Sequence, residues 1–178
     1  EPNQVVKDSV KFLPEQEVLS RVAIRTDDIE AVVARLREHH IDVSPVMAGS
    51  GHNAQGQLIE WKMATIAGNF QGLDYPFVIQ WGQNDDERLE SLKEAGAVKD
   101  HPAGDVTVKA AVFEVENPVE AASHWREVFG LELESNEKEA KIQIGERQFI
   151  FQKGEANALK QLVFETNSPQ LKGKTIKI

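Results

Sequence analysis

Residues 20–26, Ser-Arg-Val-Ala-Ile-Arg-Thr, alternate polar and apolar side chains, the pattern of a strand with one buried face. Asp27-Asp-Ile-Glu30 then reads as a capping box: the Asp27 carboxylate accepts from a first-turn amide and Glu30 reaches back. Ile29, Val32, Val33 and Leu36 follow at helical spacing. The helix is expected to stop near His40, and Ile41-Asp-Val43 to resume extended chain. Adding 90 to these positions returns the same pattern. Val112–Glu116 reads as a strand, and Asn117-Pro-Val-Glu120 as a second capping box with Pro118 at the first helical position, where its missing N–H costs nothing. Ala121, Ala122, Trp125, Val128 and Phe129 form the apolar stripe of this helix, Gly130 ends it in the left-handed conformation, and Leu131-Glu-Leu133 matches Ile41-Asp-Val43.

Each unit then supplies two further extended segments, Leu58–Ala67 and Pro76–Trp81 in the first, Ala140–Ile144 and Gln148–Gln152 in the second. The last pair match closely: Phe77-Val-Ile-Gln80 before Gly82, and Phe149-Ile-Phe-Gln152 before Gly154. Any α+β protein alternates strands and helices; matched helix starts at one fixed offset point instead to duplication. The expected fold is therefore α+β, with tandem βαβββ modules over 19–83 and 105–156. Residues 1–18 form a leading segment, with a short helix over 3–13 placing Val5, Val6 and Val10 on one face. Residues 84–104 hold a connecting helix over Asp85–Ala95, with Leu89 and Leu92 on one face, and then a Pro/Gly linker. In 157–178, Leu162-Val-Phe-Glu165 and Ser168-Pro169 repeat the start of a module, which then reduces to one closing strand over Gly173–Ile178.

Composition narrows the function. A net charge of -9 opposes nucleic-acid binding, which needs a clustered cationic surface. The basic run Lys172–Lys177 reads as a solvated strand edge. With no cysteine, disulfides, thiol nucleophiles and thiolate metal sites are excluded. No apolar run approaches the roughly 18 residues of a membrane span. The first residues lack a secretory-signal pattern, so a cytoplasmic protein is expected. The chain starts at Glu1 and not Met, which reads as processing or truncation.

The tandem module, with Gly56-Gln-Leu-Ile-Glu-Trp61 and Tyr75-Pro-Phe-Val-Ile-Gln-Trp81, resembles the vicinal-oxygen-chelate superfamily, and within it the bacterial glyoxalase-like domain proteins. The resemblance covers residues 19–82 well and 106–167 at the level of pattern. It implies paired modules curling around a shared cavity, and it implies a further module upstream of the tryptophan-bearing one, which this chain lacks. Metal-dependent members carry His near the start of a module's first strand and Glu on its last, so that imidazole and carboxylate hold a divalent ion with open positions. Here the His positions fall on Arg21 and Ala111, with Leu162 at the third start, and the Glu positions on Gln80 and Gln152. A guanidinium repels a cation, a methyl cannot ligate, and a neutral amide ligates weakly. No metal and no cofactor are expected.

Other candidates for chemistry are few. His39 and His40 suit a helix C-terminus, His124 the outer side of a helix, and His101 the linker. His52 lies in the glycine-rich stretch Ala48–Gly56, which reads as a loop able to fold over a ligand or as a plain connection; it has no phosphate-cradling spacing. The expected ligand-binding set is Arg21, Trp61, Gln80, Trp81 and His52. Arg21 suits a carboxylate or phosphate, Gln80 donates and accepts, and the tryptophans offer flat apolar walls, although each also has a plain packing or surface role open to it. Glu60 and Trp61 must face opposite ways. Glu114 and Glu165 recur at equivalent positions, which duplication explains. Three functions follow: metal-free binding of a small molecule; a glyoxalase-type lyase, isomerase or dioxygenase-like enzyme with essential residues upstream; or assembly into a homodimer by module pairing.

Overall fold

The computed structural model describes residues 4–12, 18–102, 104–135 and 139–173. The chain divides into two compact units. The first comprises Val22–Ala67 and Pro76–His101; the second comprises Glu1–Arg21, Gly68–Tyr75 and Pro102–Ile178. No helix among the described residues is long and apolar enough to cross a membrane.

In the first unit, β1 (Ala23–Arg25) leads into α2 (Ile29–Glu38), followed by β2 (Met47–His52), β3 (Leu58–Ala64), β6 (Phe77–Trp81) and α3 (Asp85–Glu94). The sheet order is β1-β6-β3-β2, with β1 parallel to β6 and the other pairs antiparallel. Ile29, Val33 and Leu36, at helical spacing, bury one face of α2 together with Ile24, Ala64 and Val78 of the sheet. The cap of α2 sits one residue later than the sequence suggests: Asp28 accepts from the Ala31 amide at 3.0 Å. Asp27 instead pairs with Arg25 at 2.7 Å. The expected strand Ile41–Val43 is only a single bridge, Val43 to Ile66. The helix closes through His40, whose φ of 58° is the left-handed turn usually left to glycine.

Of the glycine-rich stretch expected to be a loop, residues 48–52 belong instead to strand β2, paired with β3 from Met47–Met63 to His52–Leu58, and 53–56 form the turn. Its glycines are there for the neighbouring strand. Gly49 lies opposite Trp61, and a Cβ on Gly49 would come within 2.6 Å of the indole. Glycine normally weakens a strand; here the indole occupies the volume that a side chain would fill.

The second unit holds α1 (Gln4–Phe12), a hairpin of β4 (Asn69–Phe70) and β5 (Leu73–Asp74), β7 (Val106–Val115), α4 (Pro118–Phe129), β8 (Glu132–Ser135), β9 (Glu139–Ile144), β10 (Arg147–Lys153) and β11 (Ala158–Thr166). Val6 and Val10 of α1 are exposed. The sheet order is β11-β7-β10-β9-β8, again with first strand parallel to last, β7 to β10. The strand order β7-β10-β9-β8 therefore repeats β1-β6-β3-β2. The fixed offset slips by two residues, however, since Ala23 lies opposite Phe77 while Ala111, not Phe113, lies opposite Phe149. A two-residue slip keeps every side chain on its face. Residues 158–166 form no third module start but one long strand antiparallel to β7. The expected closing strand falls on residues 174–178, outside the described residues, and Gly173 lies in a turn.

Trp125 is the centre of this unit's core. It is fully buried, with Phe113, Phe149 and Phe151 edge-on to it at 5.0–5.6 Å. Asn117 makes no side-chain cap, but Pro118 starts α4 and Gly130 ends it at φ 69°. Truncating Trp125 to Ala should lower unfolding stability by about 3–5 kcal/mol, read as a lower urea midpoint. A loss below about 1 kcal/mol would mean that this aromatic cluster is not the core.

Candidate functional site

Strand alternation divides the first unit's sheet into two faces. One packs on α2. The other carries Met47, Gly49 and Gly51 from β2, Ile59, Trp61 and Met63 from β3, and Phe77, Ile79 and Trp81 from β6, all half-buried. Trp61 and Trp81 are cross-strand partners, with rings edge-to-face at 6.1 Å and 66°. The Trp61 indole lies over Gly49 and Gly51, and the Arg88 guanidinium stacks on Trp81 at 3.6 Å from the ring centre. The only charged strand residue on this face, Arg25, is held by Asp27 at 2.7 Å and Asp85 at 2.8 Å.

Of the five candidate ligand-binding residues, the structure brings Trp61 and Trp81 together and disperses the others. Gln80 alternates with Trp81 and faces α2, where its Oε1 accepts from the Ile29 amide at 3.0 Å. It serves as a second cap for that helix. His52 is exposed at the end of β2, on the face opposite Trp61. Arg21 belongs to the other unit, with its side chain 5% exposed. It donates to the Tyr75 carbonyl and lies 3.6 Å from Asp74. Glu60 faces away from Trp61, as alternation requires.

A family model for the glyoxalase-like domain matches residues 1–129. The chain belongs to the glyoxalase-like domain family. Its α+β architecture of repeated βαβββ units is that of the vicinal-oxygen-chelate superfamily. A hypothetical protein from Staphylococcus aureus is similar at a TM-score of 0.68 with 17% sequence identity, over 83% of this chain. The alignment spans 57% of that protein's length. A glyoxalase/bleomycin resistance protein/dioxygenase from Nocardioides matches at a TM-score of 0.37 and 14% identity, over 78% of this chain and 84% of that one. No curated protein sequence matches.

The residues standing where metal-dependent members of the superfamily carry ligands do not fit a divalent ion. Arg21 is committed to a backbone carbonyl and Ala111 is a buried methyl. The Gln80 oxygen accepts from a helix amide, and Gln152 is exposed opposite Glu114. Among the described residues no three His, Cys, Asp or Glu side chains gather as a potential ligand set. Glu114 is a structural acceptor: its Oε1 takes the amides of Glu155 and Ala156 at 3.1 and 3.2 Å, over a notch that only Gly154 leaves open. Glu165 pairs with Lys109 at 3.0 Å, so the recurring acids do different jobs.

One cluster escaped the sequence reading. His124, expected on the outer side of α4, is half-buried: its Nε2 lies 2.7 Å from the Tyr75 hydroxyl, and Phe70 stacks on its ring at 3.9 Å. All three belong to the second unit and join the 68–75 segment to α4. Burial raises the Tyr75 pKa above the ordinary tyrosine value of 10.0. Only the Asn69 and Gly72 turn residues hinted at this hairpin.

Two measurements follow. Tyr75 is the only tyrosine, so its near-ultraviolet absorbance should titrate with a midpoint above 10.0 in the folded chain and return to the ordinary value in denaturant. Because the folded pKa is the higher one, this contribution to stability is complete below pH 10.0 and is lost as pH rises through the folded value. Second, Gly49→Ala should cost about 1–3 kcal/mol by driving a methyl into the indole. In a Trp61→Ala background that penalty should largely vanish, and an unchanged penalty in a double-mutant cycle would show that the close approach is not the cause.

Proposed function

We propose that this glyoxalase-like chain binds a small aromatic or apolar molecule, without a metal ion, against the Trp61–Trp81 face of its four-stranded sheet. The observation that carries the reading is a half-buried sheet face, opposite the helix, built from two indoles, two methionines and a glycine floor. Indole faces and methionine thioethers present large polarisable surfaces that suit planar ligands. Gly49 and Gly51 let the Trp61 indole itself lie close over the neighbouring strand, which fixes that wall of the face. The single charged strand residue on this face, Arg25, is already paired with two carboxylates, so no strand residue here is an uncommitted acid or base. This favours binding over a lyase, isomerase or dioxygenase reaction.

A thermal-shift screen with planar aromatic compounds tests the reading. A ligand at one hundred times its dissociation constant adds about 2.7 kcal/mol, which for a chain of this size raises the melting temperature by roughly 5–10 °C. Trp61→Ala and Trp81→Ala should each abolish most of that shift. Unaltered shifts in both variants, or stoichiometric transition metal in the purified chain, would refute metal-free binding on this face.

A further inference from the structure

Beside this sheet, and wholly within the first unit, a cavity of about 440 Å³ opens between the β2–β3 turn and α3. Its volume falls in the range of small-molecule sites, about 300–1,000 Å³. Along α3 the lining residues are Arg88, Ser91, Leu92 and Ala95, spaced i, i+3, i+4 and i+7. That spacing makes one continuous stripe of the helix, with Arg88 about 10 Å from Ala95. Across from it, Leu58 and Ile59 at the start of β3 also line the cavity. No α3 residue is fully buried, although Leu92 is half-covered while Leu89 is 45% exposed. The stripe is therefore turned to an open, mostly apolar space.

The electrostatics of this cavity are uneven. Arg88 has no carboxylate within salt-bridge reach among the described residues, although the chain carries 29 Asp and Glu. Two acids close to it in sequence are engaged elsewhere: Asp85 binds Arg25 at 2.8 Å, and Glu87 closes the helix cap by accepting from the Asn84 amide at 3.1 Å. Stacking on Trp81 holds the guanidinium without neutralising it. At the far end, Gln55 Nε2 donates to the Ala95 carbonyl at 2.8 Å, which fastens the turn across the end of the helix. Gln83 Nε2 donates to Ser91 Oγ at 2.8 Å. A cationic end, an apolar body and a latched rim together define the chemistry of a guest.

We propose that this cavity is a second binding site, distinct from the Trp61–Trp81 face, for a small carboxylic acid with an apolar body. The carboxylate would pair with Arg88, and the body would run along Leu92 between the helix and Leu58. Nitrogen-labelled full chain titrated with naphthoate, and separately with neutral naphthamide, tests it by NMR. Naphthoate should shift the amides of residues 53–59 and 88–97, and naphthamide should bind about tenfold or more weakly, since hydrogen bonds to charged groups are the stronger ones. Arg88→Met, which keeps an unbranched apolar stem but removes the charge, should erase that preference. Equal affinity for the two compounds, a preference that survives Arg88→Met, or no binding of naphthoate would each overturn the proposal. Shifts confined to Trp61, Met63 and Ile79 would overturn it too, while supporting the sheet-face reading.

Discussion

Each βαβββ unit is organised by the parallel pairing of its first strand with its last, β1 with β6 and β7 with β10. Parallel neighbours cannot be joined by a hairpin, so the chain must travel out and back between them. The helix occupies one side of the sheet on that journey, and the two intervening strands extend the sheet at one edge. One face is thereby committed to the helix before any particular side chain is considered. Ile29, Val33 and Leu36 meet Ile24, Ala64 and Val78 in the first unit, and Trp125 meets three phenylalanines in the second. The opposite face is the one a unit can devote to something other than its own core. In the first unit that face holds the paired tryptophans.

This constraint explains what was legible in the sequence. Helical stripes and their termini are local signals, and α2, α3 and α4 were found close to their limits. The matched final strands, Phe77–Gln80 and Phe149–Gln152, are likewise short local apolar runs, each followed by glycine two residues on. What was missed depends on contacts far apart in sequence. Gly49 and Gly51 look like loop residues until Trp61 is seen to need their space. Asp27 and Asp28 are equivalent as capping residues until Arg25 takes the first of them. His124 reads as an exposed helix residue until Phe70 and Tyr75 arrive from a segment some fifty positions earlier. Trp61 and Trp81, named together in the sequence as candidate walls, are cross-strand partners on one face; Gln80, next in sequence to Trp81, is for the same reason bound to face the other way.

The polar residues at the superfamily's ligand positions show how the first unit differs in chemistry from a metal-binding relative. A ligand oxygen must keep a lone pair directed at the ion. Gln80 directs its oxygen at the first amide of α2, a donor that would otherwise be unsatisfied at a half-buried helix start. Arg21, in the other unit, is likewise occupied with a backbone carbonyl. These positions have become parts of the frame, so the recognition proposed for the first unit would fall to surfaces that do not depend on them. Trp81 stands where two such surfaces meet, with Trp61 at its edge and the Arg88 guanidinium over its ring. One indole thus serves both the apolar sheet face and the cation of the neighbouring cavity. A guest drawing Arg88 toward its carboxylate would act directly on a wall of the other site.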